Sequence, residues 1–111
     1  MNRKVLAIEK IQECIESKKV IWTEHCLKRM NQRNILISEV KEAIRNGKII
    51  EQYELDYPYP SCLIIGKNKG SKTLHTVVGV GKNIIYIITS YYPDRNQWEN
   101  NIKRRKHNEL F

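Results

Sequence analysis

The periodicity of the apolar residues changes at Asn46-Gly47, and this change limits the fold more than any other feature of the chain. Before it, apolar residues recur every three or four positions among charged ones, as in amphipathic helices. After it, they alternate or form short runs between turn residues, as in strands. The 111 residues fit one domain, residues 1–111, and the hydrophobic fraction of 41% is typical of a folded globular protein. The sequence therefore predicts an α+β protein whose helices precede its sheet.

Three helices are predicted before this change, each bounded by residues that favour helix ends. The first ends at about Ser17, and the short apolar segment Val20–Trp22 is expected to link it to the second. Thr23 is the candidate N-cap of the second helix, and Asn34 tolerates the left-handed backbone that ends one. Ser38 is the predicted N-cap of the third helix.

Four strands are predicted after the change, connected as an antiparallel meander at residues 48–54, 61–66, 73–80 and 84–92. The last is the most apolar and is expected at the centre of the sheet. Asp94 with Gln97 three positions later resembles a capping box and predicts a short C-terminal helix. The expected architecture is three N-terminal helices packed on one face of a four-stranded antiparallel sheet, followed by that helix.

The second helix places its functional groups on one side. At about 100° per residue, a polar stripe falls within an arc of roughly 100° and consists of His25, Arg29, Gln32 and Arg33. The neighbouring arc is apolar. A histidine with two guanidinium groups suits a phosphate. The alternatives are a hydrogen bond from His25 to a neighbouring loop and surface ion pairs for the two arginines.

The charge balance favours a polyanionic partner. Lys and Arg number 20 against 12 Asp and Glu, which gives a net charge of +8. Nucleic acid, an anionic membrane surface or an acidic protein would fit this charge, although basic surfaces also serve solubility. A basic run near the C-terminus includes Lys103, Arg104 and Arg105 and would follow a phosphate backbone, or form a solvated face.

The spacing of the cysteines, histidines and glycines argues against a disulfide framework, a metal site and a nucleotide-binding loop. The three cysteines are dispersed and never form CxxC, and no signal peptide or membrane-spanning run is visible, so a cytoplasmic protein without membrane association is expected. The histidines are also dispersed, and Gly79-Val80-Gly81 lacks a nucleotide-binding fingerprint. We therefore expect neither a metal nor a cofactor.

RNA cleavage without a metal remains compatible with these residues. It needs a base for the ribose 2′-hydroxyl, an acid for the leaving 5′-oxygen and fixed positive charge at the phosphorane. His25 could supply one proton transfer, with Arg29 and Arg33 at the phosphate. His75 or Tyr91 could supply the other, although His75 also fits a structural role in an apolar strand. Tyr91 and Tyr92 point to opposite sides of a strand, so at least one is expected in the core, and Tyr92 is a candidate RNA contact.

Several motifs in order resemble a known family. They are His25-xxx-Arg29-Met30-xx-Arg33, Gly47-Lys48-Ile49-Ile50-Glu51-x-Tyr53, Pro60-Ser61-Cys62-Leu63, His75-Thr76-Val77-Val78 and Ile87-Ile88-Thr89-Ser90-Tyr91-x-Pro93-Asp94. This pattern resembles the 4258 family of small bacterial domains of unknown function. That family is similar to the barnase–colicin–RelE group of ribonuclease folds and to RelE and MqsR toxins.

The resemblance implies a RelE/barnase-like fold and a metal-independent endoribonuclease, an mRNA interferase-like toxin of a bacterial toxin–antitoxin system. It implies RNA as substrate, including mRNA on the ribosome, and a cognate antitoxin of the YgiT zinc-finger type. The family's recurring polar positions correspond to His25, Arg29, Arg33, His75 and Tyr91. The alternatives are a non-catalytic RNA-binding or protein-interaction module, and a regulatory partner whose basic face meets an acidic protein.

Overall fold

The structure is a computed structural model that describes residues 5–94 and the backbone of residues 98–99 and 103–104. Within these residues the chain forms three helices, α1 (Ile8–Glu16), α2 (Glu24–Gln32) and α3 (Ile37–Arg45). The strands are β1 (Val20–Trp22), β2 (Lys48–Tyr53), β3 (Ser61–Lys67), β4 (Thr73–Val80), β5 (Ile85–Tyr91), β6 (Trp98–Glu99) and β7 (Lys103–Arg104).

The main sheet has five strands in the order β1-β5-β4-β3-β2. β1 runs parallel to β5, with Val20 opposite Ile85 and Trp22 opposite Ile87, and the other neighbours are antiparallel. The predicted four-stranded antiparallel sheet is therefore wrong, because residues 20–22 form a strand and not a link. A segment of three residues is too short to show the alternation of a strand, and its partner β5 lies more than 60 residues away in the sequence, so no local pattern reveals it. The central strand is β4 and not, as predicted, β5.

The predicted C-terminal helix is also wrong. Trp98 lies opposite Arg104 and Glu99 opposite Lys103, so β6 and β7 form an antiparallel pair where the helix was expected. The prediction used a short capping pattern and one apolar spacing, which are weak local signals. The sequence also contains Asn100 and Asn101, and asparagine disfavours helix interiors.

The predicted end of α1 at about Ser17 and both predicted ends of α2 agree with the structure, whereas the predicted start of α3 does not. Thr23 is the N-cap of α2, and its Oγ1 accepts a hydrogen bond from the Cys26 N–H at 3.1 Å. Asn34 follows α2 in the left-handed region, at φ 57°. The predicted N-cap Ser38 is wrong, because Leu36 is at the N-cap of α3 and its N–H donates to the Glu39 carboxylate at 2.9 Å.

One core joins the three helices to one face of the sheet. Its fully buried members include Ile11 of α1, Cys26 of α2, Ile44 of α3 and Val78 of β4. Strand alternation places β4 residues 75, 77 and 79 on the opposite face. Among the described residues, no helix has both the length and the apolar character needed to cross a membrane.

α3 packs so closely on β3 that its backbone contacts the strand backbone directly, with no side chain between them at Gly66. A Cβ added to Gly66 would lie 1.8 Å from the carbonyl oxygen of Ala43, and one added to Gly47 would lie 2.6 Å from the same oxygen. Neither position tolerates a side chain without a backbone shift. These two glycines fix the distance between α3 and the sheet.

Gly66→Ala is expected to lower the free energy of unfolding by about 2–3 kcal/mol or more, since the added methyl would displace α3 from β3. Urea denaturation measures the change. Gly70→Ala is the matched control, because the nearest atom to its added Cβ, Asn68 Oδ1, is 3.4 Å away, an ordinary contact. Equal stability of the two variants would contradict the close packing described.

Candidate functional site

α2 lies along the edge of β5 where β1 ends. β1 pairs only with residues 85–87 of β5, and α2 follows it directly. At the start of the helix, Thr23 Oγ1 donates to the Ile87 carbonyl oxygen at 3.3 Å. At its end, Arg33 Nη1 donates to the Ser90 carbonyl oxygen at 2.9 Å. Side chains at both ends of α2 thus bind carbonyl groups of β5, and the polar stripe of the helix lies beside this strand.

Arg33 connects α2 to Tyr91. The same Nη1 lies 3.3 Å from Thr89 Oγ1, and the Cζ atom lies 6.0 Å from the centre of the Tyr91 ring, within the range of a cation–π contact. Arg33 is half-buried. A guanidinium has five N–H donors, and the bonds found among the described residues use Nη1, so Nε and Nη2 can still serve a phosphate.

His75 lies behind this contact. It is opposite Tyr91 in the register of β4 and β5, and the two rings meet edge to face at 5.4 Å with 63° between their planes. His75 has no exposed surface, since its relative exposure is 0%. Of the two strand residues predicted for proton transfer, only the half-buried Tyr91 reaches the surface. His75 therefore cannot contact a substrate directly, although it packs against the Tyr91 ring, which can.

His25 and Arg29 are exposed and lie one turn apart on α2. Four residues of helix rise about 6 Å, so Arg29 lies about 6 Å along the axis from His25 and the same distance from Arg33. The predicted set of residues is thus spread along the helix, with Arg29 in the middle. A phosphate bound at Arg29 would lie between His25 on one side and the Arg33–Tyr91 contact on the other.

Tyr92, which follows Tyr91 directly after β5, contacts a lysine. It is exposed, and Lys72 Nζ lies 5.8 Å from its ring centre. Burial and, to a smaller extent, the Glu39 carboxylate raise the pKa of Tyr92, so its hydroxyl stays protonated at neutral pH. Lys103 and Arg104 are described only as backbone in β7, and Arg105 lies outside the described residues.

The buried thiols provide no nucleophile. The free cysteines Cys14, Cys26 and Cys62 are all buried. Burial raises the pKa of Cys62 to about 12, and burial also raises that of Cys26 despite the nearby Arg33 charge. Among the described residues, no group of three or more His, Cys, Asp or Glu is arranged to hold a metal ion. The accessible reactive groups of the stripe and of the neighbouring Tyr91 are therefore imidazole, guanidinium and phenol.

An aromatic cavity of about 270 Å³ lies beside the start of α2, where Thr23 forms part of its wall. Its other lining residues include Tyr57, Tyr59 and Tyr86. Tyr57 and Tyr59 alternate with two prolines in the loop between β2 and β3, a pattern that suits either binding aromatics or a loop that packs on itself. Tyr86 was not a candidate, because its place in an apolar strand gave no signal that it would line a cavity.

The sequence profile of a family described as a domain of unknown function, DUF4258, matches residues 22–92. The chain belongs to the DUF4258 family. The match holds more than half of the chain and includes six of the predicted site residues, which are His25, Arg29, Arg33, His75, Tyr91 and Tyr92. The basic residues 103–105 lie outside the DUF4258 match. Searches of curated proteins and of solved structures returned no significant match.

Arg33→Ala is expected to lower the free energy of unfolding of this DUF4258 protein by about 1–2 kcal/mol, because the Ser90 carbonyl and the Tyr91 ring lose a charged partner. Arg29→Ala removes the same charge from an exposed position and is expected to change it by no more than about 0.5 kcal/mol. Thermal and urea unfolding of both variants measure the difference. If both lose equal stability, Arg33 does not anchor α2 to β5.

Proposed function

We propose that this DUF4258 protein binds single-stranded RNA along α2 and the end of β5 and cleaves it without a metal. The observation that supports this most directly is the position of Arg29, midway between exposed His25 and the Arg33–Tyr91 contact. The net charge of +8 supports a polyanionic substrate. Aromatic groups beside cationic side chains, as at Tyr91 with Arg33 and at Tyr92 with Lys72, suit unpaired bases and backbone together.

The chemistry divides among three groups on this surface. Arg29 binds the scissile phosphate and stabilises the charge that develops on its oxygens. His25 exchanges a proton with one of the reacting oxygens, as base for the 2′-hydroxyl or acid for the 5′-oxygen. Tyr91 serves the other oxygen, and Arg33 holds the adjoining backbone while His75 positions the Tyr91 ring. The 2′-hydroxyl is the nucleophile, so the protein needs none of its own.

The biological setting we propose is a toxin–antitoxin system. The sequence resemblance to RelE-like and MqsR-like ribonucleases supports a growth-arresting mRNA interferase in the cytoplasm. A cognate antitoxin, of the YgiT zinc-finger type in this proposal, would neutralise the basic RNA-binding surface. The small size and positive charge of the chain are compatible with both roles.

A non-catalytic RNA-binding module is the second candidate. The complete burial of His75 favours it, since His25 is then the only exposed histidine among the described residues. Binding requires only the arginines and tyrosines of the surface, with no proton transfer. The two candidates differ in whether new RNA ends appear.

Cleavage is tested with purified protein, single-stranded RNA and EDTA. We expect products ending in 2′,3′-cyclic phosphate, because the 2′-hydroxyl attacks the adjacent phosphorus, and no cleavage where that hydroxyl is replaced by hydrogen. His25→Ala and Arg29→Ala should each lower the rate by about 10²–10³-fold. Lys10→Ala, which removes an exposed charge on α1, should leave it unchanged.

Expression of the intact chain in bacteria should arrest growth, and the His25→Ala, Arg29→Ala double variant should restore it. RNA binding by the wild-type protein without new ends would establish the non-catalytic candidate instead. If the wild-type protein fails to bind RNA even at low salt, the proposal of an RNA substrate is wrong.

A further inference from the structure

The cavity beside α2 lies on the face of the sheet opposite the helical core. Its floor is formed by Gly79 of β4 and by Tyr86 and Ile88 of β5. Gly79 and Tyr86 neighbour the core residues Val78 and Ile87 and face away from the core by strand alternation, and Ile88 lies at an irregularity in the pairing of β4 with β5. A Cβ added to Gly79 would meet Ile88 Cδ1 at 3.3 Å. The absence of a side chain at Gly79 therefore keeps this floor open.

The walls of the cavity are aromatic. Tyr59 stacks on Tyr86 with ring centres 5.0 Å apart and 9° between the planes. Tyr57 opposes them on the loop between β2 and β3 and is 95% exposed, so its ring faces are available to a ligand. A hydrogen bond with Tyr59 raises the pKa of Tyr86, so the Tyr86 hydroxyl stays protonated at neutral pH. A planar uncharged ring is the ligand that this surface suits.

A single carboxylate lies at the rim. Asp56 Oδ2 accepts a hydrogen bond from the Oγ of buried Ser61 at 2.5 Å, which orients the group. The other oxygen, Oδ1, can accept a hydrogen bond from a ligand. A negative charge here repels phosphate, so the backbone of a bound RNA would lie elsewhere, on the basic side of α2. The rim can therefore accept a hydrogen bond from an N–H group of a ligand, and it repels anionic ligands.

We propose that this cavity binds one nucleobase that carries an amino group, namely adenine, cytosine or guanine, and disfavours uracil. The proposal rests on the RNA-binding function proposed above. The volume of about 270 Å³ is just below that of pockets for drug-sized ligands, roughly 300–1,000 Å³, and suits one ring system. The Asp56 carboxylate accepts the amino N–H, whereas the single donor of uracil lies between two carbonyl oxygens that repel it.

The position of the cavity connects base recognition to the phosphate site. Thr23 lines the cavity and His25 follows two residues later in the first turn of α2. A base held between Tyr57 and the floor would place the adjoining backbone near His25 and Arg29. The cavity then selects the nucleotide next to the phosphate that the helix contacts.

Fluorescence anisotropy with short 2′-O-methyl oligonucleotides tests the proposal, since they bind without being cleaved. The wild-type protein should bind all-adenine and all-cytosine oligonucleotides about tenfold more tightly than all-uracil ones at the same salt concentration. Asp56→Asn should remove this preference, and it can still accept the Ser61 hydrogen bond through its amide oxygen. Glu9→Gln, which removes an exposed negative charge on α1, is the matched control and should retain the preference.

A second pair of variants tests the aromatic wall. Tyr57→Ala should weaken binding to the adenine oligonucleotide about tenfold, since one stacking partner is lost. Leu55→Ala changes an equally exposed residue of the same loop outside the cavity lining, and it should have no effect. Gly79→Ala narrows the floor and should also weaken binding.

The outcomes separate this inference from the proposed function. If RNA binding depends on Arg29 and on salt but is equal for all bases and insensitive to Tyr57→Ala, the nucleobase site is wrong and RNA binding stands. If the cavity instead holds a protein partner, the affinity for oligonucleotides will not change in the Asp56 or Gly79 variants. That result would also refute the nucleobase site. Failure of the wild-type protein to bind any oligonucleotide refutes both.

Discussion

The exposed edge of β5 is the constraint on which the rest of this structure depends. β1 is only three residues long and pairs with residues 85–87, so the remainder of β5 would present unpaired carbonyl groups to solvent. α2 covers this edge, with Thr23 bonded to Ile87 at its start and Arg33 bonded to Ser90 at its end. Edge protection therefore determines where the helix lies and which of its sides remains exposed. The side left exposed carries His25 and Arg29.

In the function proposed above, this arrangement divides the surface along α2 into three zones. Near Thr23, the aromatic cavity would select a base. One turn further, His25 and Arg29 would act on the adjoining phosphate. At the end, Arg33 is held between the Ser90 carbonyl and the Tyr91 ring, so it is more an anchor than a mobile ligand. On the same face of the sheet, nearer its β2 edge, the backbone of α3 contacts β3 at Gly66 and holds the helical layer at a fixed distance.

The features that sequence patterns predicted are those that local physics determines. The helical arc of residues 25–33, the Thr23 cap and the left-handed Asn34 each follow from a few neighbouring residues, and the bounds of β4 agree with the predicted 73–80. β1 was missed because its identity as a strand depends on pairing with a distant segment. The same limit applies to the site, since no pattern shows that the Arg33 guanidinium bonds a β5 carbonyl or that His75 is fully buried.

NMR titration tests most directly whether RNA binds along α2 and the end of β5. Amide chemical shifts of the full chain would be followed as a single-stranded 2′-O-methyl RNA is added at low salt. We expect the largest shift changes in Glu24–Gln32 and in residues 88–92, with smaller ones at the cavity residues Tyr57 and Gly79. Changes confined to β2 and β3, or no changes at all, would contradict it.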